Sequence, residues 1–276
     1  MEQGGGMKKD SRPILYAEKD GIAFIRMNRP EMKNAINSEC WHLFETYFQT
    51  LSSQSHIRAL IITGATPGIF SAGVDVHPSD PLISRLFTAF QENDRKTVLE
   101  GIAYMQGVLA MLASLPFPTI AAINGICYSG GLELSLACDI RIAAHDAELC
   151  FQETRLGLIP DLGGTVRLTR LVGPGKAKEL IFSARKIDPD EARSIGLLEF
   201  VFAKENFMAQ VETYVKNLMS NGPQAIKSVK HIVDAAGDLP EKEALAVEKE
   251  QAALNIMSGQ CIEGISAFLE KRAPKW

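Results

Sequence analysis

The chain has 276 residues, of which 46% are hydrophobic and 22% charged, and its formal net charge is −4. This composition supports a large buried core and excludes an intrinsically disordered chain. The small negative charge argues against a broad basic surface for nucleic acid or an anionic membrane, and no apolar stretch is long enough to predict a membrane span. The five scattered cysteines lack zinc-site spacing and favour reduced thiols in a cytoplasmic protein.

The first half of the chain predicts strands that alternate with helices. Residues 1–13 are predicted to form a mobile tail without an apolar signal segment, and Met7 is a second candidate start. A hairpin follows around Lys19-Asp20-Gly21. Residues 76–104 contain Pro78 and Pro81 and are less regular, which fits either a mobile loop or helix over a pocket or an uninvolved surface segment. The predicted strands are Ile14–Glu18, Ile22–Met27, Ala59–Thr63, Thr119–Ile123 with a turn to Ile126, Ile140–Ala144 and Ala147–Phe151; the predicted helices are Ser38–Leu51, Tyr104–Leu115 and Gly131–Cys138.

The strand–helix–strand order predicts an α/β core with largely parallel strands, which we place at residues 14–200. Its last helices are predicted at Gly164–Leu171, Lys176–Ser183 and Pro189–Ile195. Residues 201–276 are purely helical, with predicted helices at Phe207–Met219, Pro223–Ala235, Glu241–Met257 and Gln260–Lys271. The apolar residues of this region need a partner surface, which either a neighbouring subunit or the chain's own core could supply.

Glu133 is the most informative single residue, because it lies between two apolar runs directly after Gly130 and Gly131. An unpaired buried charge is costly, so such an acid is protonated, partnered or functional. Paired glycines at a helix start let a ligand approach backbone N–H groups. The pattern indicates chemistry on a carbonyl group. The alternative is a glutamate that reaches solvent, with glycines that serve only the turn.

Two further segments carry candidate groups. The segment FSAGVD, residues 70–75, follows a buried strand and could present another backbone N–H, and two such donors can bind an oxygen that gains negative charge. Its alternative is a plain turn capped by Asp75. The segment FQETRLGLIPDLGG, residues 151–164, brings Glu153 and Asp161 near a glycine-rich helix start. Glu153 could instead pair with Arg155 or Arg167.

These segments occur in an order that resembles a known family. The segments FSAGVD, NGICYSGGLELSLACDIRIAA and FQETRLGLIPDLGGTVRL, with MNRPEMKNAI upstream and EGISAFLEKR near the end, resemble the crotonase (enoyl-CoA hydratase/isomerase) superfamily. The resemblance covers nearly the whole chain from residue 14. It implies an α/β fold made of a spiral of ββα repeats, followed by a C-terminal helical trimerisation region. It also implies an acyl-CoA thioester substrate and a homotrimer or homohexamer.

The resemblance also implies roles for individual residues. The oxyanion hole would be the backbone N–H groups of Val74 and Gly130, and the two catalytic glutamates fall on Glu133 and Glu153. No metal or redox cofactor is implied, since coenzyme A is part of the substrate. The positions that bind substrate or CoA fall on Lys33, Ala35, Ala72, Asp75, Val76 and Gly131, with Phe268 and Lys271 closing over the CoA of a neighbouring subunit.

The chain departs from typical hydratases at two positions. Asp161 replaces a glycine and resembles the third acid of the Δ3,5-Δ2,4-dienoyl-CoA isomerases, although those enzymes generally have aspartate where this chain has Glu133. His77 stands where many hydratases have lysine. We therefore expect an enoyl-CoA hydratase, in which Asp161 caps the helix that begins near Gly164. The alternative is a double-bond isomerase, in which Asp161 points into the acyl pocket and acts with Glu153.

Functions of other classes receive less support from the sequence. A catalytically idle acyl-CoA-binding member would not need both Glu133 and Glu153. A serine hydrolase built on Ser129 would need a histidine partner, and none of the five histidines lies in a motif that ties it to this serine. An RNA-binding role would need a basic helix, and residues 44–58 contain few lysines or arginines.

Overall fold

A computed structural model describes residues 11–276, and the first ten residues of the predicted tail lie outside that range. Within the described range, Asn28 holds residues 12 and 13, because its backbone N–H donates to the Pro13 carbonyl at 2.7 Å and its side chain donates to the Arg12 carbonyl at 3.0 Å. The strands are β1 (Ile14–Lys19), β2 (Ile22–Met27), β3 (Ala59–Gly64), β4 (Gly68–Ser71), β5 (Thr119–Ile123), β6 (Gly125–Tyr128), β7 (Ile140–Ala144), β8 (Glu148–Cys150) and β9 (Phe200–Phe202). The α-helices are α1 (Ser38–Ser52), α2 (Pro81–Gln91), α3 (Arg95–Ala113), α4 (Gly130–Leu136), α5 (Gly164–Val172), α6 (Pro174–Ser183), α7 (Pro189–Ser194), α8 (Phe207–Met219), α9 (Pro223–Asp238), α10 (Glu241–Met257) and α11 (Gln260–Leu269).

The larger of two sheets has six strands in the order β1-β2-β3-β5-β7-β9. β1 and β2 form the predicted antiparallel hairpin, whose turn residues Asp20 and Gly21 both have positive φ, as a two-residue hairpin turn of this kind requires. The other neighbouring strands pair in parallel. The prediction of an α/β core with largely parallel strands is therefore confirmed.

The smaller sheet has three parallel strands in the order β4-β6-β8. Each follows a strand of the large sheet along the chain, so β3-β4, β5-β6 and β7-β8 each lead into helices. This repeated strand–strand–helix order agrees with the ββα repeats that the resemblance implies. The sequence analysis predicted a strand at neither β4 nor β6, because each strand is only four residues long and begins at a glycine.

Two helices, rather than an irregular segment, occupy most of residues 76–104. Asp80 caps α2, since its carboxylate accepts hydrogen bonds from the backbone N–H groups of Leu82 and Ile83. Pro81 is the first residue of that helix, where a proline costs no hydrogen bond. Asp94 caps α3 in the same way. The expectation of irregular structure was wrong because the prolines and the polar run mark helix starts.

The C-terminal region is helical as predicted, but it begins within the core. The predicted boundary between residues 200 and 201 falls inside β9, which extends the large sheet. The helix α8 buries Phe207, Val211 and Val215 against the face of that sheet. By contrast, α9, α10 and α11 bury very few side chains. Among residues 11–276, no helix is long and apolar enough to cross a membrane.

Candidate active site

The candidate site forms where the three strands of the small sheet end. Because neighbouring parallel strands share one direction, their carboxyl ends lie at the same edge of the sheet, a common position for ligand sites. β4 ends at Ser71, β6 at Tyr128 and β8 at Cys150. The segments that follow carry Val74, Gly130 and Glu153, so sheet topology brings together three groups that are far apart in the sequence.

The loops that carry Val74 and Gly130 touch each other. A Cβ placed on Gly130 would lie 2.9 Å from Val74 Cγ2 and 3.1 Å from the Val74 nitrogen, so only glycine allows this approach. Within residues 11–276, neither the Val74 N–H nor the Gly130 N–H donates a hydrogen bond. Gly130 is the first residue of α4, where an N–H has no acceptor within the helix. Both N–H groups are therefore free to donate to a single acceptor atom placed between them.

Glu133 is buried, with 2% of its surface exposed, so the alternative in which it reaches solvent is wrong. Its Oε2 accepts hydrogen bonds from the backbone N–H groups of Leu162 and Gly164, at 2.8 and 2.7 Å. Burial, together with the negative charge of Glu153, raises the pKa of Glu133 to about 8 although both N–H bonds act against that rise. The carboxyl group thus combines a fixed position with a proton that it holds near neutral pH.

Glu153 is also buried, at 7% exposure, and it begins a short 3₁₀ helix, Glu153–Leu156. Neither carboxylate oxygen has a hydrogen-bond partner among the described residues. The alternative in which Arg167 pairs with it is not observed, because the Arg167 guanidinium donates to the Leu162 carbonyl at 3.0 Å. Burial is the main cause that raises the pKa of Glu153 to about 7, and the charge of Asp161 adds to it. A buried acid without a partner is unusual outside functional sites.

Asp161 does not cap α5, so that expectation was wrong. The helix begins after Gly163 without a side-chain cap, and the carboxylate that accepts the Gly164 N–H belongs to Glu133. Asp161 lies close enough to both glutamates for its charge to raise their pKa values, and burial raises its own. The structure therefore gathers three acids at one place.

Sequence comparison identifies the family. The profile of the family described as enoyl-CoA hydratase/isomerase matches residues 17–276. The chain belongs to this family of enzymes. A methylglutaconyl-CoA hydratase from mouse mitochondria is 35% identical over 266 residues, which cover 95% of this chain and 81% of that protein. A crotonyl-CoA hydratase of Syntrophomonas wolfei is 33% identical over 260 residues, covering 94% of this chain and 95% of its relative.

Solved structures agree with the assignment. The crystal structure of an enoyl-CoA hydratase from Bacillus anthracis superposes with a TM-score of 0.86 at 33% identity, covering 96% of this chain and 98% of that one. This member of the enoyl-CoA hydratase/isomerase family therefore has the crotonase fold that its motifs predicted.

Two loops of this family member carry most residues predicted to bind CoA. The backbone N–H of Ala72 donates to the Lys33 carbonyl at 2.9 Å, which places Lys33 and Ala35 beside the segment of Ala72 and Val76. Asp75 is buried, and its carboxylate forms an ion pair with Arg29 at 2.9 Å. The Asp75 side chain thus joins the two loops.

The remaining predicted CoA positions lie in different environments. Gly131 is buried, and a Cβ there would lie 2.7 Å from Ser71 Cβ, so this glycine lets α4 pack against β4. Phe268 lies in α11 with 81% of its surface exposed, and Lys271 follows the same helix. Contact of these two residues with the CoA of a neighbouring subunit stays a prediction.

Sequence analysis missed three residues that fix the loop before Val74. The Arg29 guanidinium donates to the Ala35 carbonyl as well as to Asp75. The Asn34 side chain donates to the carbonyls of β4 at Ile69 and Phe70, at 3.1 and 3.0 Å. The Ser71 hydroxyl donates to the Asn34 carbonyl at 2.8 Å. Asn34 has a positive φ of 55°, a conformation that asparagine tolerates well. The asparagine after Lys33 was therefore the one sequence signal for a tight turn in this loop.

Proposed function

We propose that this protein is an enoyl-CoA hydratase, which adds water across the double bond of a 2-trans-enoyl-CoA. The observation that carries the proposal is the position of two buried acids, Glu133 and Glu153, at the sheet edge where two free backbone N–H groups converge. The N–H groups of Val74 and Gly130 would bind the thioester oxygen. That oxygen gains negative charge as water adds to C3, and each fixed donor contributes about 3–4 kcal/mol to stabilising such a charge.

The two glutamates supply the proton transfers that hydration requires. Two acids in one site cannot both ionise cheaply, and the pKa values of this pair are raised to about 8 and about 7. Near neutral pH the two carboxyl groups therefore share about one proton. The ionised member takes a proton from water as the water oxygen bonds to C3, and the protonated member gives its proton to C2. The reaction needs no metal or redox cofactor, because CoA enters with the substrate.

A comparison of substrates tests this proposal. We expect kcat/KM with crotonyl-CoA to exceed the value with a 3,5-dienoyl-CoA. Hydration can be followed by loss of the conjugated enoyl absorbance. Turnover of the dienoyl-CoA alone would contradict the hydratase assignment.

Isomerisation of an enoyl- or dienoyl-CoA double bond is the second candidate. The observation that favours it is Asp161, which does not cap α5 and acts electrostatically on both glutamates. In that reaction one acid removes a proton from the acyl chain, and another returns a proton at a distant carbon. Asp161 and Glu153 would fill these roles.

The proposed assembly is a homotrimer or homohexamer in the cytoplasm. The three last helices expose large apolar side chains, among them Met257 at 84% and Phe268 at 81%. Exposed apolar faces of this kind mark surfaces where proteins associate.

The five cysteines are all unpaired, which suits a reducing compartment, although several relatives are named as mitochondrial.

A further inference from the structure

Ser129 has an unusual backbone for a residue with a side chain. It connects β6 to α4 and adopts φ 49° and ψ −126°, a region that glycine occupies far more readily than serine. Residues held in such conformations cluster at functional sites, where the surrounding contacts impose them. The hydrogen bonds around Ser129 show which parts of the site hold it there.

Ser129 connects the segment that carries Gly130 and Glu133 to the segment that carries Glu153. Its N–H donates to the Cys150 carbonyl at 2.9 Å, and its Oγ accepts from the Gln152 N–H at 3.3 Å, so it holds the two ends of the segment that leads to Glu153. Its carbonyl accepts from the Glu133 N–H at 3.0 Å, at the start of α4. The next residue is Gly130, the predicted oxyanion donor. A change at Ser129 therefore reaches both glutamates and the N–H of Gly130.

The hydroxyl proton of Ser129 has one evident acceptor. Its Oγ already accepts from Gln152, and among residues 11–276 no acceptor takes its proton at full hydrogen-bond geometry. The two oxygens of Glu153 are buried and have no donor. The hydroxyl lies close enough to Glu153 to favour the ionised form and lower its pKa, against the larger effect of burial. The unused donor and the unused acceptors therefore lie near each other.

We propose that Ser129 is a positioning residue that ties the predicted oxyanion loop to Glu153 and turns its hydroxyl proton toward the Glu153 carboxylate. This inference rests on the proposed function for its catalytic meaning, but the contact itself can be tested without substrate. Its effect is to make the charged form of Glu153 less costly in a buried site. A glycine at this position would adopt the backbone without strain and would lack the donor.

The other ionisable groups around Glu153 are acidic on the near side. Asp161, in the loop before α5, opposes ionisation of Glu153, and the charge of Glu153 in turn opposes ionisation of Glu133, on α4. Arg167 of α5 lies beside Glu133, and its guanidinium bonds to the Leu162 carbonyl. The helix α6 meets the 3₁₀ helix of Glu153 through a hydrogen bond from the Thr154 hydroxyl to the Ile181 carbonyl. The Ser129 hydroxyl is therefore an uncharged hydrogen-bond donor beside Glu153, whose nearest ionisable neighbours are acids.

Two substitutions separate the hydroxyl from the backbone. Ser129→Ala removes the hydroxyl and keeps a Cβ at positive φ, whereas Ser129→Gly removes the hydroxyl and relieves the strain. The direct measurement is infrared titration of the protonated carboxyl band that Glu153→Gln abolishes. Loss of a hydrogen bond to the charged form should raise the midpoint of that band by about 0.5–1 pH unit in both variants. Their melting temperatures should differ, with the glycine variant higher.

The kinetic measurement gives the same sign. Whichever limb of the pH profile of kcat/KM reports Glu153 should move to higher pH by a similar amount in both variants. An unchanged infrared midpoint in both variants, with changes only in melting temperature, would show that Ser129 is merely structural and overturn the proposal. A shifted midpoint in an enzyme that does not hydrate crotonyl-CoA would instead refute the proposed function and leave the role of Ser129 standing.

Discussion

The backbone N–H of Gly164 donates to Glu133 Oε2 at 2.7 Å, and a Cβ on Gly164 would lie 2.5 Å from that same oxygen. Gly164 therefore holds Glu133 through its N–H, and its lack of a side chain leaves room for the Glu133 carboxylate. Gly164 begins α5 with ordinary helical φ, so the requirement for glycine comes from Glu133 and not from the local backbone.

We expect Gly164→Ala to lower kcat by about 10- to 100-fold, because the new methyl group displaces the Glu133 carboxylate from its hydrogen bonds. The matched control is Gly175→Ala in α6, where a Cβ would have no atom within 4 Å. Alanine is favoured over glycine in a helix by up to about 1 kcal/mol, so this control should keep its activity and gain a little stability. Equal activity in the two variants would contradict the proposed constraint on Glu133.

Exchange of either glutamate for glutamine tests the acid–base pair. Glu133→Gln and Glu153→Gln keep the shape of the side chain and remove proton transfer, so kcat for crotonyl-CoA hydration should fall at least about 100-fold in each. Glu205→Gln, at an exposed position before α8, is the control and should retain full activity. Circular dichroism confirms that the variants fold. Near-normal turnover in both site variants would rule out the mechanism.

Much of the site could be predicted from sequence, because its groups lie in short motifs at strand ends. Glu133, Glu153 and the two N–H positions needed no knowledge of distant contacts. The role of Asp161 could not be predicted in the same way. Local pattern favours Asp161 as the cap of α5, but Glu133, which precedes Leu162 by 29 residues, takes both N–H groups at that helix start.

The short strands of the fold were missed for a related reason. β4, β6 and β9 have four, four and three residues, too few to show an alternating pattern of polar and apolar residues. The loop contacts of Arg29 with Asp75 span 46 residues, so no local signal reveals them. The helix α1, which has a strong apolar stripe, was predicted to within one residue, whereas the start of α3 was predicted nine residues too late.

The raised pKa of Glu153 predicts a dependence of stability on pH. Burial raises its pKa from the ordinary value of 4.5 to about 7 in the folded protein, so between these pH values the folded state keeps a proton that the unfolded state has released. The contribution of this group to folding therefore falls as pH rises from about 4.5 to about 7. Glu153→Gln removes the effect.

Relative to the wild type, the Glu153→Gln variant should gain on the order of 1–3 kcal/mol in unfolding free energy between pH 5 and pH 8. Urea denaturation at both pH values measures this difference, and the subtraction cancels the titration of groups common to both proteins. Glu205→Gln should show no such gain. A difference that stays constant with pH would show that Glu153 is not shielded from solvent in the folded protein.

The exposed helices α9 to α11 predict association. Light scattering at micromolar concentration should give the mass of a trimer or hexamer, since many apolar side chains of these helices are left exposed by the rest of residues 11–276. Ile262→Glu, at a side chain with 69% exposure on α11, should shift the protein toward smaller species by placing a charge in the interface. A wild-type protein that is active as a stable monomer would contradict this assembly.

Asp161→Asn separates the two candidate reactions. In hydration, Glu133 and Glu153 make both proton transfers. The variant should therefore keep kcat/KM for crotonyl-CoA within about tenfold of the wild-type value, a much smaller loss than removal of an acid–base group causes. The variant should also keep its melting temperature, because Asp161 accepts no N–H bond from α5, whereas loss of a helix cap costs about 1 kcal/mol. Removal of the aspartate charge lowers the pKa of both glutamates, so the pH profile should move to lower pH.

A collapse of hydration as deep as that of Glu153→Gln would show that Asp161 is catalytic. Efficient isomerisation of a 3,5-dienoyl-CoA by the wild type, lost in this variant, would assign the enzyme to the isomerases, because only that reaction needs an acid at a carbon far from the thioester.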